Sequence, residues 1–125
     1  MNTPANLKYA KSDEWFDSES GKIGITDYAQ SQLSDIVFVE VLVDEGETIQ
    51  AGKPIASVES VKASAEIYSP ASGTVIAVNK DLPNKPEALN SDPYGAAWMI
   101  QLEGGSEGDL MDSAAYEKHC EERDH

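Results

Sequence analysis

Cysteine, histidine and basic side chains are all scarce in this 125-residue chain, which has one cysteine, two histidines and nine lysines and arginines against 23 aspartates and glutamates. Cys120 has no second cysteine for an internal disulfide and no clustered ligands for a metal site, so a reducing compartment is allowed. His119 and His125 both fall in an acidic tail, where histidine is more often solvated than catalytic, and a nucleophile–histidine pair is not expected. The formal charge of −14 would repel a phosphate backbone, which excludes nucleic acid as an expected partner and favours basic protein partners. No run approaches the roughly 18 apolar residues of a membrane span. Nor do residues 1–6 show the basic-then-apolar start of a secretory signal. A soluble protein is expected, either cytosolic or with a presequence already removed.

The equipment of a nucleotide-dependent enzyme is missing too. Gly46 and Gly52-Lys53 invite a phosphate-loop reading, but five residues separate the glycines where the motif has four, and Pro54 stands in place of the magnesium-binding Ser or Thr. No Gly-x-Gly-x-x-Gly follows a strand. Acidic pairs such as Glu121-Glu122 read as a solvated face.

What is present is a series of short runs rich in Val and Ile: Ile23–Ile25, Ile36–Val43, Ile55–Val61, Ala65–Tyr68, Thr74–Val78 and Trp98–Leu102. Glycine- and proline-bearing turns separate them, among them Asp44–Glu47, Ala51–Pro54, Ser69–Gly73 and Ser91–Gly95. This rhythm predicts a small, mostly β sandwich or barrel. Asp27 with Gln30 predicts a capped short helix over Tyr28–Leu33, and Pro86 suits the first turn of a segment through Leu89. Asp112 or Ser113 caps a last helix, with Leu110, Met111, Ala114, Ala115 and Tyr116 as a modest apolar face for docking on the β core. A chain of this length has room for one core. We expect one domain over residues 1–125, its core at about 7–104 and an acidic C-terminal helix at about 109–123.

The segment Ser57–Ala65 carries the chemistry. An apolar strand runs into Lys62, small residues follow at Ala63, Ser64 and Ala65, and a second strand leaves through Ile67 and Tyr68. This describes a hairpin with an accessible lysine at its tip, open to a modifying ligase. Taken without its surroundings, such a lysine is an ordinary solvated one.

Glu59-Ser60-Val61-Lys62-Ala63 resembles the lipoylation site of glycine cleavage H proteins. The resemblance extends through Gly24-Ile25-Thr26-Asp27-Tyr28-Ala29-Gln30, Asp35–Glu40, Ser69-Pro70 with Ser72-Gly73, Val78-Asn79, Asp92-Pro93-Tyr94 with Gly95, and Trp98-Met99-Ile100, in the family's order from Leu7 to about Tyr116. It implies a barrel-sandwich hybrid like that of lipoyl and biotinyl carriers, with short flanking helices and a C-terminal helix. It implies lipoic acid in amide linkage to Lys62, no active site of its own, and a shuttle role. The pyridoxal-phosphate glycine decarboxylase (P protein) would load the arm with an aminomethyl group. The aminomethyltransferase (T protein) would pass its carbon to tetrahydrofolate, and dihydrolipoamide dehydrogenase (L protein) would reoxidise the dithiol. A lipoyl ligase or transferase would attach the group. The compartment would be the cytoplasm of a bacterium, or the mitochondrial matrix for a processed eukaryotic chain.

By the same resemblance Ser12, Glu14 and Glu66 occupy the places of residues that meet the amine of the folded-back arm. A carboxylate stabilises a cationic ammonium, the more so when desolvated. The sequence departs from the family at Asp13, where His usually precedes Glu-Trp, at Glu66, where Asp is common, and at Ser34-Asp35, where Gly usually leads. Three other readings compete. One is a carrier that relays lipoyl groups to other enzymes. Another is a biotinyl carrier, which would flank the lysine with Met rather than Val61 and Ala63. The third is an unmodified acidic interaction module.

Overall fold

The computed structural model describes residues 3–123. Among these, nine strands, three α-helices and one 3-10 turn follow one another as β1 (Lys8–Tyr9), β2 (Glu14–Phe16), β3 (Lys22–Ile25), α1 (Asp27–Leu33), β4 (Ile36–Val41), β5 (Thr48–Ile49), β6 (Pro54–Ser60), β7 (Ser64–Tyr68), β8 (Ala71–Val78), the 3-10 turn (Leu82–Asn84), α2 (Ala88–Ser91), β9 (Ile100–Glu107) and α3 (Ser113–Arg123). Six strands form one antiparallel sheet in the order β1-β2-β3-β9-β8-β5, and three form a second in the order β4-β6-β7. The expected mostly-β architecture is the one observed.

The two sheets share one apolar layer. Ile23, Ile25, Ile49, Val75 and Ile100 of the larger sheet meet Ile36, Val39, Ile55, Val58 and Ile67 of the smaller, all buried. The β-branched residues seen in the sequence occupy these inward positions, where a stiff side chain packs on a pleated surface at little entropic cost.

A second apolar cluster fixes the ends of the chain. Leu7, Tyr9, Trp15, Tyr28, Tyr116 and Cys120 pack together, with Tyr9 and Tyr116 stacked at 4.8 Å between ring centroids. Helix α3 thus docks on β1 through part of the expected face: Tyr116 is buried and Leu110 and Met111 pack against the cores, but Ala114 and Ala115 are exposed and Cys120 is the second buried helix residue. The pair is spaced i, i+4, one helical turn, so two side chains suffice to seat a short helix. Asp112 does cap it, its carboxylate accepting from the Ala115 amide at 2.8 Å.

Other boundaries shift. The cap of α1 is Thr26, whose hydroxyl accepts from Ala29 N, while Asp27 is the first helical residue and its carboxylate takes a 2.7 Å bond from the Gln30 side-chain Nε2. Helix α2 starts at Ala88, two residues beyond Pro86. Strand β9 continues to Glu107, past the expected core edge at 104. No helix among the described residues is long and apolar enough to cross a membrane.

Gly24 shows how tightly the N-terminal strands are fitted. It faces Trp15 across the β2–β3 ladder, and a Cβ there would lie 2.7 Å from the indole nitrogen. Gly24→Ala should displace Trp15 and cost about 2 kcal/mol, the range for overpacking a tight core. Urea unfolding of the variant checks this.

Candidate functional site

Lys62 stands where the sequence puts it, in the turn between β6 and β7, with Val61, Lys62, Ala63 and Ser64 all exposed. The turn is braced by one hydroxyl. Ser60 Oγ accepts from the Lys62 amide at 3.3 Å and the Ala63 amide at 3.1 Å, and donates to the Ala63 carbonyl at 3.1 Å. Those three bonds use its whole capacity of one donor and two acceptor sites. The Val61 amide donates to the Asp35 carbonyl at 3.0 Å, anchoring the tip to the segment that leads into β4. A lysine on such a tip is held in place at the backbone while its amine stays free for an acyl donor. Ser60→Ala should cost about 1 kcal/mol in urea unfolding, since two turn amides lose their acceptor.

The three residues expected near the amine come from two strands and the turn before one of them. Ser12 and Glu14 are directly joined, the hydroxyl donating to Glu14 Oε1 at 2.5 Å. The other carboxylate oxygen, Oε2, accepts from the Tyr68 amide at 3.2 Å. Glu14 is fully buried, and desolvation, opposed by those hydrogen bonds, pushes its carboxyl up to about 7. Glu66 is elsewhere. It lies on the exposed face of β7 with Ser64 and Tyr68, as the period-2 alternation of a strand requires.

Tyr68 links the two acids, although nothing in the sequence marks it out as a site residue. Its amide is bound to Glu14, and its side chain is beside Glu66, whose charge raises the phenol pKa above its ordinary value. The signal that could find it is strand alternation: Ser64, Glu66 and Tyr68 share one face leading away from Lys62. From Ser64 to Tyr68 that face runs about 13 Å, at roughly 3.3 Å per residue.

Asp13, the departure noted beside Glu14, is also built into the structure. It has φ of 77°, the left-handed region that Asp and Asn tolerate better than most residues. Its carboxylate takes two bonds from Arg123 of α3, at 2.7 and 2.8 Å, and a third from the Tyr116 hydroxyl at 2.8 Å. His119 lies 3.3 Å from Arg123, on α3 and not on the strands that flank Lys62. His125 lies outside the described residues. Among the described residues no group of His, Cys, Asp and Glu is arranged to hold a metal ion.

Residues 7–123 match the family model described as glycine cleavage H-protein. A glycine cleavage system H protein of Deinococcus deserti is 52% identical over 118 residues, covering 94% of this chain and 97% of that one. One from Bacillus cereus is 46% identical over 123 residues, covering 97% and 96%. The crystal structure of a glycine cleavage system H protein from Mycobacterium marinum superposes with a TM-score of 0.83 at 30% identity, covering 98% of this chain and 99% of that one. A match across nearly the whole length, in sequence and in fold, means that this chain belongs to the glycine cleavage H-protein family.

Proposed function

We propose that this chain is a lipoyl carrier of glycine cleavage, one domain without an active site of its own, with Lys62 as its attachment point. The observation that carries the reading is Lys62 itself, exposed on a hydroxyl-braced hairpin tip inside Glu59-Ser60-Val61-Lys62-Ala63. The residues present fit a lipoyl group. Ala63 and Ser64 add little bulk beside the amine, and the acylated side chain of roughly a dozen bonds would reach about 14 Å, at roughly 1.2 Å per bond. That length is comparable to the β7 face. When bound, the lipoyl group would supply a sulfur for an aminomethyl cargo and, in its dithiol form, a pair of electrons given up on reoxidation; the chemistry is the cofactor's.

The chain's own residues receive and shelter that cargo. Glu66 offers an exposed carboxylate midway along β7, where a cationic ammonium is met first. Glu14 is the second stop. Its Oε1 is occupied by the Ser12 hydroxyl, so an ammonium enters by taking that donor's place while Ser12 turns outward. Near pH 7 the Glu14 carboxyl is poised between its two forms, and a cation beside it draws it to the ionised one. Removal from bulk water protects the cargo, because water attacking its methylene carbon would release the thiol, formaldehyde and ammonia.

The partners under this reading are glycine decarboxylase, the aminomethyltransferase, dihydrolipoamide dehydrogenase and the lipoyl ligase or transferase, met in the cytoplasm of a bacterium. Reconstitution tests it. The lipoylated chain, added to the other three components, should support glycine-dependent release of carbon dioxide, and the chain not exposed to ligase should not. Equal turnover with both forms would sink the reading.

A further inference from the structure

The turn that carries Ser12 and Glu14 is held from the far end of the chain. Residues Ala10 to Glu14 close with two backbone bonds, Asp13 N to Ala10 O at 3.0 Å and Ala10 N to Glu14 O at 2.9 Å. Asp13 lies between the two arm residues, and both its carboxylate oxygens are gripped by Arg123. Planar two-pronged pairing of this kind fixes orientation as well as distance. Arg123 is itself aimed: its guanidinium rests 4.5 Å over the Tyr28 ring and donates at 3.4 Å to the Lys11 carbonyl.

A directed chain of hydrogen bonds backs the same carboxylate. Tyr116 has one hydroxyl proton and gives it to Asp13, so Thr26 must donate to Tyr116 across their 2.7 Å contact. Thr26 Oγ1 in turn accepts from Ala29 N as the cap of α1. The Asp13 carbonyl also accepts from the Thr26 amide at 3.0 Å. Helices α1 and α3 therefore converge on one residue of the turn. The pair is partly shielded, with side-chain exposures of 34% for Arg123 and 16% for Asp13.

We propose that Arg123 is a positioning residue for the arm: through Asp13 it holds the Ala10–Glu14 turn so that Ser12 and Glu14 stand at the end of the β7 face. The device is the Asp13–Arg123 pair itself, a carboxylate and a guanidinium joined by two hydrogen bonds. The proposal rests on the reading that Glu14 receives the cargo ammonium, and deepens it.

Two readouts test it, one without any lipoyl group. In the unmodified chain the Tyr68 amide is tied to Glu14. Arg123→Met should speed its hydrogen exchange by up to about tenfold, the range for the loss of one hydrogen bond, and Arg123→Lys should restore part of the protection. A role confined to docking α3 would leave this β7 amide unchanged. In the loaded chain, formaldehyde release should accelerate by a similar factor in Arg123→Met, well below its melting temperature. Glu14→Gln should accelerate it at least as much, and the double variant no further.

Wild-type exchange at Tyr68 in Arg123→Met overturns the proposal. So do effects of the two substitutions on release that multiply. If Glu14→Gln hastens release while Arg123→Met does not, the proposal fails and the arm reading stands. If Glu14→Gln itself releases at the wild-type rate, the arm reading fails and takes the proposal with it. Should Arg123→Met not fold, Asp13→Asn carries the same predictions, since Asn tolerates the left-handed turn and lacks the charge.

Discussion

Lys62→Arg should reduce glycine-dependent carbon dioxide release to background while leaving the protein folded. Arginine keeps the positive charge and nearly the length, but a guanidinium that stays protonated cannot be acylated by an activated lipoyl donor. Lys62 is exposed, and the bonds that brace the tip run through the Ser60 hydroxyl and main chain rather than through the lysine side chain. The substitution should therefore change stability by less than about 0.5 kcal/mol in urea unfolding, the usual range for a surface position. Turnover at the wild-type level would mean that another group carries the cargo.

Glu14→Gln should change how stability depends on pH. The folded chain holds this carboxyl protonated up to about 7, against an ordinary value of 4.5. Below pH 4.5 both folded and unfolded forms are protonated and Glu14 is neutral to stability. As pH rises from 4.5 to about 7 the unfolded form ionises first, so stability falls. Above that window the accumulated loss is about 3 kcal/mol, since each pH step between the two values removes roughly 1.4 kcal/mol. The glutamine variant lacks this slope.

At pH 8 the variant should be the more stable protein by about 2 kcal/mol, because its single amide oxygen can accept from only one of Ser12 and Tyr68 and about 1 kcal/mol of the gain is returned. Urea unfolding of both proteins between pH 4 and 8, read as a difference so that other carboxylates cancel, checks this. A difference that stays flat with pH would contradict the burial of Glu14. The expected gain in stability accompanies loss of cargo retention, a cost that a carrier site accepts.

The β architecture is legible in the sequence because its signals are local. Runs such as Ile55–Val61 and Ala65–Tyr68 alternate or cluster β-branched residues between glycine and proline turns, and the hairpin with Lys62 at its tip follows from them. The short strands β1, β2 and β5 are not legible. Their two or three residues are too few to show a period, and they are strands because a neighbour pairs with them. The face of α3 is legible only in part: Tyr116 turns inward as expected, while its stack on Tyr9 turns Ala114 and Ala115 outward and brings Cys120 in.

The candidate site divides in the same way. Ser12 and Glu14 are two apart in sequence and are joined by a hydrogen bond. Glu66 belongs to a different strand, and its relation to Glu14 passes through Tyr68, which only the register of β6 and β7 and the position of β2 could reveal. Asp13 reads in the sequence only as a departure beside Glu14. Its partner stands 110 residues away at the end of α3, beyond the reach of any local pattern, and with that partner in place the same residue braces the turn.

The most direct test of the carrier assignment is the intact mass, with peptide mapping, of the chain after incubation with a lipoate ligase, ATP and lipoic acid. The account predicts the addition of one lipoyl group, confined to the peptide that contains Lys62. An unchanged mass, under conditions where a known acceptor is fully modified, would contradict it.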